Sequence, residues 1–488
     1  MIASRADPPR IGDNIPLNQA TGMRGILALQ HPSILYSRVW LFVLVALLQG
    51  CASNSILIPY TVRANQMHQG IVQGQYTQIA KDLAEHDQSG ANRLLSLLEL
   101  GRVHMLAHDP KDSLQDFSTA MSIWDAENQR ARISLTHTAE EGASLLTNDN
   151  AIPYAGSPFE RTMAHTYQSL NYLALGQVSD AAVEVRRAEF EQRQALLDQQ
   201  NAIAKAQQSA SQQGFHPGDY SRFFSGMNVA AGRVKNGFQN AMAFYISSLI
   251  YEAAGQPDDA YVDIKLAFEM WPDNPTLQQD MVRMGTLTGD PEAGHLARHL
   301  GIHTPPGQDG SIVVMIEQGW IPQRATFKFP IITSNTVNYL AVPYYPGPFP
   351  LPQPETIQMD QQSSMTMPLV DFEALAAFDL KEQMPGLLAR QWLRLLTKQK
   401  MQRELEKNGN TLGALLGSLA TTLTDQADLR SWSTLPANAQ MSRFWLVPGT
   451  HTLSIGTTQI PVQVQSRHTT LIHVVDNGGA LNIMTYHL

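Results

Sequence analysis

Three stretches of the chain set small and aromatic residues at helical spacing, in pairs divided by a short turn. The plainest runs from Phe244 through Leu249, Tyr251 and Gly255 to Ala260, Ile264, Ala267 and Pro272. Gly255 suits the turn, Ala260 and Ala267 let two helices approach, and Pro272 closes the unit. A second window, Tyr172-Leu173-Ala174-Leu175-Gly176-Gln177 with Ala181, Val185 and Ala188, repeats those residue types at the same offsets. A third, Leu100-Gly101 with His104, Ser113, Phe117 and Ala120, puts serine where the other windows have alanine. The windows are not tandem. Glu141–Arg161, with a Pro- and Gly-bearing loop at Asn148–Pro158, divides the first two, and the Gln- and Ala-rich segment Glu191–Gln213 reads as a helical extension of the second hairpin. The pattern predicts an all-α region over 66–303.

At Thr304–Gly310 turn residues concentrate, and beyond them the period changes. Short β-type runs follow at Ser311–Glu317, Ala325–Pro330, Val337–Val342, Phe444–Val447, Thr452–Ile455, Ile460–Val464, Thr469–Val475 and Leu481–Tyr486. A helical stretch, Leu387–Lys407, and an apolar small-residue run, Thr411–Leu423, interrupt them. The expectation is an α+β multidomain chain: a helical domain at 66–303, a linker at 304–310, and a β-sandwich-like domain at 311–488 with a helical insertion at about 385–423.

The paired-helix windows resemble the tetratricopeptide repeat, a helical hairpin of about 34 residues that buries its faces only by stacking. In that arrangement the inner faces present Met163, Thr166, Leu170 and Leu173, then Met242, Tyr245, Leu249 and Glu252. This face is mostly apolar and lacks the cationic cluster that grips a peptide carboxylate. It either accepts a partner helix or is filled by the chain's own inserted helices. Glu160, Arg161, Glu184 and Arg187 form either a partner patch or solvated and structural pairs.

The amino-terminal end adds a location. Arg38 precedes an apolar run, Val39–Leu48, that stops at Gln49-Gly50-Cys51. That is the layout of a cleaved secretory signal. About ten apolar residues fall short of the roughly 20 needed to span a bilayer. Leu48-Gln49-Gly50-Cys51 resembles the bacterial lipobox, which makes Cys51, the single cysteine of the 488 residues, the lipid attachment point. The extension Met1–Gln30 fits a translation start at Met23. Residues 1–50 are thus expected as signal and 51–65 as tether, and Ala52, in place of aspartate, implies the outer membrane. Net charge is −9, and residues 1–50 carry four arginines against two aspartates, so the remainder is more acidic still. A nucleic-acid partner is not expected.

At Tyr154–Arg161, Leu170–Gly176, Val183–Ala188 and Thr424–Pro436 the chain resembles an uncharacterised family of bacterial tetratricopeptide-like outer-membrane lipoproteins. The resemblance implies a periplasm-facing lipoprotein whose genes neighbour those for activators of peptidoglycan synthases. The function it implies is a protein-interaction scaffold or adaptor in envelope assembly, bound to an envelope protein. The alternative is peptidoglycan binding through Trp320, Tyr344 and Tyr345 beside the Pro346–Pro354 loop.

The remaining signals point to structure. Trp432 with Asp428 and Arg430 is expected to lock the inserted segment onto the β-domain. His295, His299 and His303 recur every four residues near Glu292, but Gly301 ends that helix early, so no metal site is expected. The Gly-x-x-x-Gly run Leu412–Ala420 is too short to span a membrane. No Gly-x-Ser-x-Gly elbow, His-Glu-x-x-His or phosphate-cradling glycine loop occurs, so neither enzyme activity nor a cofactor is expected.

Overall fold

The pairing of helices follows from one turn used repeatedly. In the computed structural model the described residues are 59–86, 90–134, 149–212, 214, 224–235, 237, 240–302, 309–333, 336–407 and 426–488. Cys51, His303, the run Thr411–Leu423 and most of the 304–310 linker lie outside them. Residues 54–488 form one compact unit.

Among the described residues, five helical pairs share a turn: α1 (Tyr60–Val72) with α2 (Tyr76–His86), α3 (Arg93–Leu106) with α4 (Pro110–Ser134), α5 (Pro158–Ala174) with α6 (Val178–Gln212), α8 (Ala241–Ala253) with α9 (Pro257–Met270), and α10 (Pro275–Thr288) with α11 (Pro291–Leu300). A short α7 (Ser225–Ala231) stands between the third and fourth pairs. At each turn a residue with φ between +59° and +78° sends its N–H back three residues, and the next N–H back five: Gly74, His108, Gly176, Gly255 and Gly289. These bonds satisfy carbonyls that a helix end otherwise leaves open. Glycine takes this left-handed conformation without strain, whereas His108 does so at some cost. The first window thus departs from the other two at its turn as well as at Ser113. Helix α1 begins at Tyr60, inside the stretch expected as tether, and α6 continues through Glu191 to Gln212.

Ser113 is not a defect in the first pair. Its hydroxyl donates to the Gly101 carbonyl (2.7 Å) and accepts from Asn171 (2.8 Å), which ties α3, α4 and α5 together. Gly101 itself lies against the buried Phe117 ring, 2.8 Å from where a Cβ would stand. In an open helix Gly→Ala is worth about 1 kcal/mol of added stability. Here Gly101→Ala is expected to destabilise by about 1–3 kcal/mol through overpacking, so the sign of the change in a urea unfolding midpoint decides the matter.

The strands are β1 (Gly310–Gln318), β2 (Ala325–Thr333), β3 (Thr336–Tyr344), β4 (Thr356–Met359), β5 (Gln362–Met365), β6 (Met367–Asp371), β7 (Asn438–Leu446), β8 (Gly449–Ile455), β9 (Thr458–Val464), β10 (Thr469–Asp476) and β11 (Asn482–His487). A long helix, α12 (Phe372–Lys407), lies between β6 and β7 and starts well before the expected Leu387. Short β4, β5 and β6 escape the sequence pattern. The five-stranded sheet runs β11-β10-β1-β7-β6, with β1 and β10 parallel and the other neighbours antiparallel. A four-stranded sheet runs β5-β4-β8-β9, and β2 pairs with β3 alone.

Strand periodicity then decides the layers. Ile312, Val314, Ile316, Phe444, Leu446, Ile472 and Val474 meet Ile357, Leu453, Ile455, Val462 and Val464 of the four-stranded sheet. The alternate residues Val313, Met315, Leu471, Val475, Met441 and Tyr486 join the core of the helices. β1 is therefore buried on both faces, which is why it reads as a continuous apolar run. The change of period at 304–310 marks where helices give way to strands, while one hydrophobic core runs from Met67 to Tyr486 across it.

Candidate functional site

The inner face expected to accept a partner is closed. Met163, Thr166, Leu170, Leu173, Met242, Tyr245 and Leu249 are all buried. Strands contribute to closing it: α5 meets β11, α8 meets β6, and α5 and α8 meet each other, while the inserted α12 packs on α6 and α7. The physical reason is the helix-facing side of the five-stranded sheet, whose apolar residues need a cover.

Polar side chains fix the register of that closure. Glu317 on β1 takes the Arg102 guanidinium of α3 and the Tyr167 hydroxyl of α5 (2.9 Å), with His473 Nε2 at 3.0 Å. Arg443 on β7 holds Asp280 of α10 (2.7 and 2.9 Å), which also accepts from Tyr245 (2.8 Å). Glu99 of α3 takes the backbone N–H groups of Ser433 (2.7 Å) and Thr434 (3.2 Å). Every one of these carboxylates is buried and hydrogen-bonded, as burial of a charge requires.

The four charged residues of the family-like segment do not form one network. Glu160 is buried, accepts from Tyr154 (2.5 Å), the Ser157 N–H (2.7 Å) and the Trp432 N–H (2.8 Å), and so caps α5 while holding the 426–437 segment. Burial pushes the Glu160 carboxyl up in pKa against those bonds. Arg161 lies over the Trp124 ring at 5.0 Å. Glu184 is buried 2.5 Å from His165, with Arg187 3.8 Å away and largely exposed. Glu252 pairs with Arg283 instead of facing a groove.

Trp432 is fully buried, as its locking role predicts, but it locks onto the helices. Its ring meets Phe117 at 5.8 Å and Tyr167 at 5.9 Å. Arg430 pairs with Asp428 (2.7 Å) and reaches the carbonyls of Ala91, Asp149 and Ile152. The aromatics proposed for glycan are not an exposed row: Tyr345 is buried, and Trp320 stacks on His68 at 4.2 Å. Helix α11 ends at Gly301, and among the described residues no group of three His, Cys, Asp or Glu is placed to hold a metal ion.

Among the concavities of the described residues, two stand out by their lining. One, of about 500 Å³, lies outside α4, α5 and α6, with Met121 and Trp124 as its floor, Val183 and Phe190 exposed beside it, and Arg186 and Arg187 on its rim. The other, of about 370 Å³, lies between the loop before α5, the far half of α6, α12 and residues 428–430. Arg161, Arg324, Arg390 and Arg430 line it together with Asp149 and Asp428. Sequence reasoning missed Arg324 and Arg390, since arginines scattered from 161 to 430 make no local motif. Among the described residues no helix is long and apolar enough to cross a membrane. No family model matches the chain, and no curated protein matches it.

Proposed function

We propose that the protein is a lipid-anchored scaffold of the Gram-negative outer membrane, facing the periplasm and positioning an envelope-assembly partner, with peptidoglycan synthesis the favoured process. In this reading the helices are tetratricopeptide-like hairpins and the strands a β-sandwich-like body that helps fill their inner face. Partner binding therefore moves outward. The observation that carries it is the outer concavity, where Val183 (47% exposed) and Phe190 (58% exposed) sit one helical heptad apart beside Arg186 and Arg187. An amphipathic helix with an acidic flank suits that surface. Lipid on Cys51 would raise the effective concentration of such a partner in the layer next to the membrane. We assign no catalytic step.

The test is a pull-down from detergent-solubilised envelopes with wild type, Cys51→Ser and Phe190→Ser, together with membrane fractionation. Cys51→Ser is expected to leave the membrane fraction, and Phe190→Ser to stay there but lose the partner. Membrane retention of Cys51→Ser would overturn the anchor, and undiminished capture by Phe190→Ser would overturn the surface.

A further inference from the structure

We propose that the arginine-lined cleft is a carboxylate-binding site, which takes the free α-carboxylate of a peptide chain end together with its last apolar side chain. Charge comes first. Of the six charged residues on its wall, four are arginines and two are aspartates. Both aspartates are already engaged, Asp149 by Arg394 (2.5 Å) and Gln391 (2.7 Å), and Asp428 by Arg430. Arg324 spends Nε on the Tyr345 hydroxyl (3.2 Å) and one terminal nitrogen on the Arg430 carbonyl (3.0 Å). Its other terminal nitrogen makes no hydrogen bond to the described residues. Arg390 is exposed on α12. Two guanidinium groups are therefore available for the forked geometry that carboxylates accept.

The rest of the wall selects the class of anion. Ile152, Pro153, Ile203, Pro343 and Leu387 give it an apolar side, and about 370 Å³ is a small-molecule volume. Bonded to residues of the wall are two buried carboxyl groups, Glu160, which accepts from Tyr154 and the Ser157 N–H, and Asp379, which accepts from the Ser157 hydroxyl (2.7 Å) and Gln383 (2.7 Å). Their proximity opposes a dianion more than a monoanion, so a carboxylate is favoured over a phosphate monoester. The site does not depend on the scaffold reading, because binding can be measured whatever Cys51 carries.

The experiment is calorimetric titration of the full-length chain in detergent with N-acetyl dipeptides ending in Ala, Leu or Phe, as free acids and as amides, and with inorganic phosphate. At least one acid is expected to bind, with its amide weaker by roughly ten-fold or more, the worth of a charge-assisted bond. Arg390→Ala, on an exposed position, is expected to weaken that acid several-fold with an unchanged thermal midpoint, and Arg324→Gln to weaken it further. Binding by no acid, equal binding of acid and amide, binding of phosphate alone, or wild-type affinity in Arg390→Ala would each overturn the proposal.

Discussion

Glu317→Gln is expected to lower the stability of the chain by about 3–5 kcal/mol at neutral pH, because it leaves the buried Arg102 guanidinium without its counter-charge. Both side chains are almost wholly shielded from water. Water cannot replace the lost partner, and the surrounding groups offer little. The Tyr167 ring lies over the guanidinium at 4.3 Å, a weaker interaction than an ion pair in the same place. Replacing both partners, Arg102→Met with Glu317→Leu, is expected to cost less than the single change, since it removes the uncompensated charge. Urea unfolding of the three proteins checks both statements, and a double variant weaker than Glu317→Gln would sink the argument.

The same pair gives a pH dependence. Burial pushes the Glu317 pKa up, but Arg102, His473 and the Tyr167 hydroxyl outweigh it and hold the group at about 2, against 4.5 for an ordinary glutamate. A carboxyl depressed on folding stabilises fully above its unfolded pKa and loses that contribution as pH falls toward its folded one. The gap between wild type and Glu317→Gln should hold from pH 7 down to about 5 and narrow between about 4.5 and 2. A gap that widened in acid would mean that Glu317 is not held ionised.

Trp432→Ala is expected to cost about 3–5 kcal/mol, the range for deleting a large ring from a closed core. The indole fills the space between Phe117 and Tyr167, with its N–H donating to Thr434 (2.9 Å). Arg430, Glu99 and Glu160 still bind this segment through backbone groups, so the site cannot collapse freely and a cavity remains. Trp432→Phe keeps a ring there and loses the Thr434 bond, so a loss of roughly 1–2 kcal/mol is expected. Thermal unfolding separates the two variants, and faster proteolysis near 426–437 in Trp432→Ala alone would tie the ring to the segment. Equal losses would show that the hydrogen bond, not the ring, matters.

Helices and strands differ in how much of them the sequence carries. Gly176 and Gly255 announce their turns because few other residues adopt that backbone conformation, and the paired alanines mark helix contacts from within one hairpin. The long strands are legible from runs of β-type residues between turn signals. Short β4, β5 and β6 are not, since four or five residues hold too little pattern and their pairing is set by β7 and β8 far along the chain. That Met163, Leu170, Tyr245 and Leu249 share apolar helix faces was likewise plain from their spacing, while their burial was not. Nor was what covers them, because a helix face specifies that it needs an apolar neighbour without specifying which. The sequence by itself determined three of the five described helical pairs, most of the strands and the lone cysteine behind an apolar run. Only the tertiary structure decided that the sheet helps close the inner face, that Arg102 meets Glu317 across 215 positions, and that distant arginines share one cleft. Those are long-range pairings, fixed by packing and charge in three dimensions, and no local period records them.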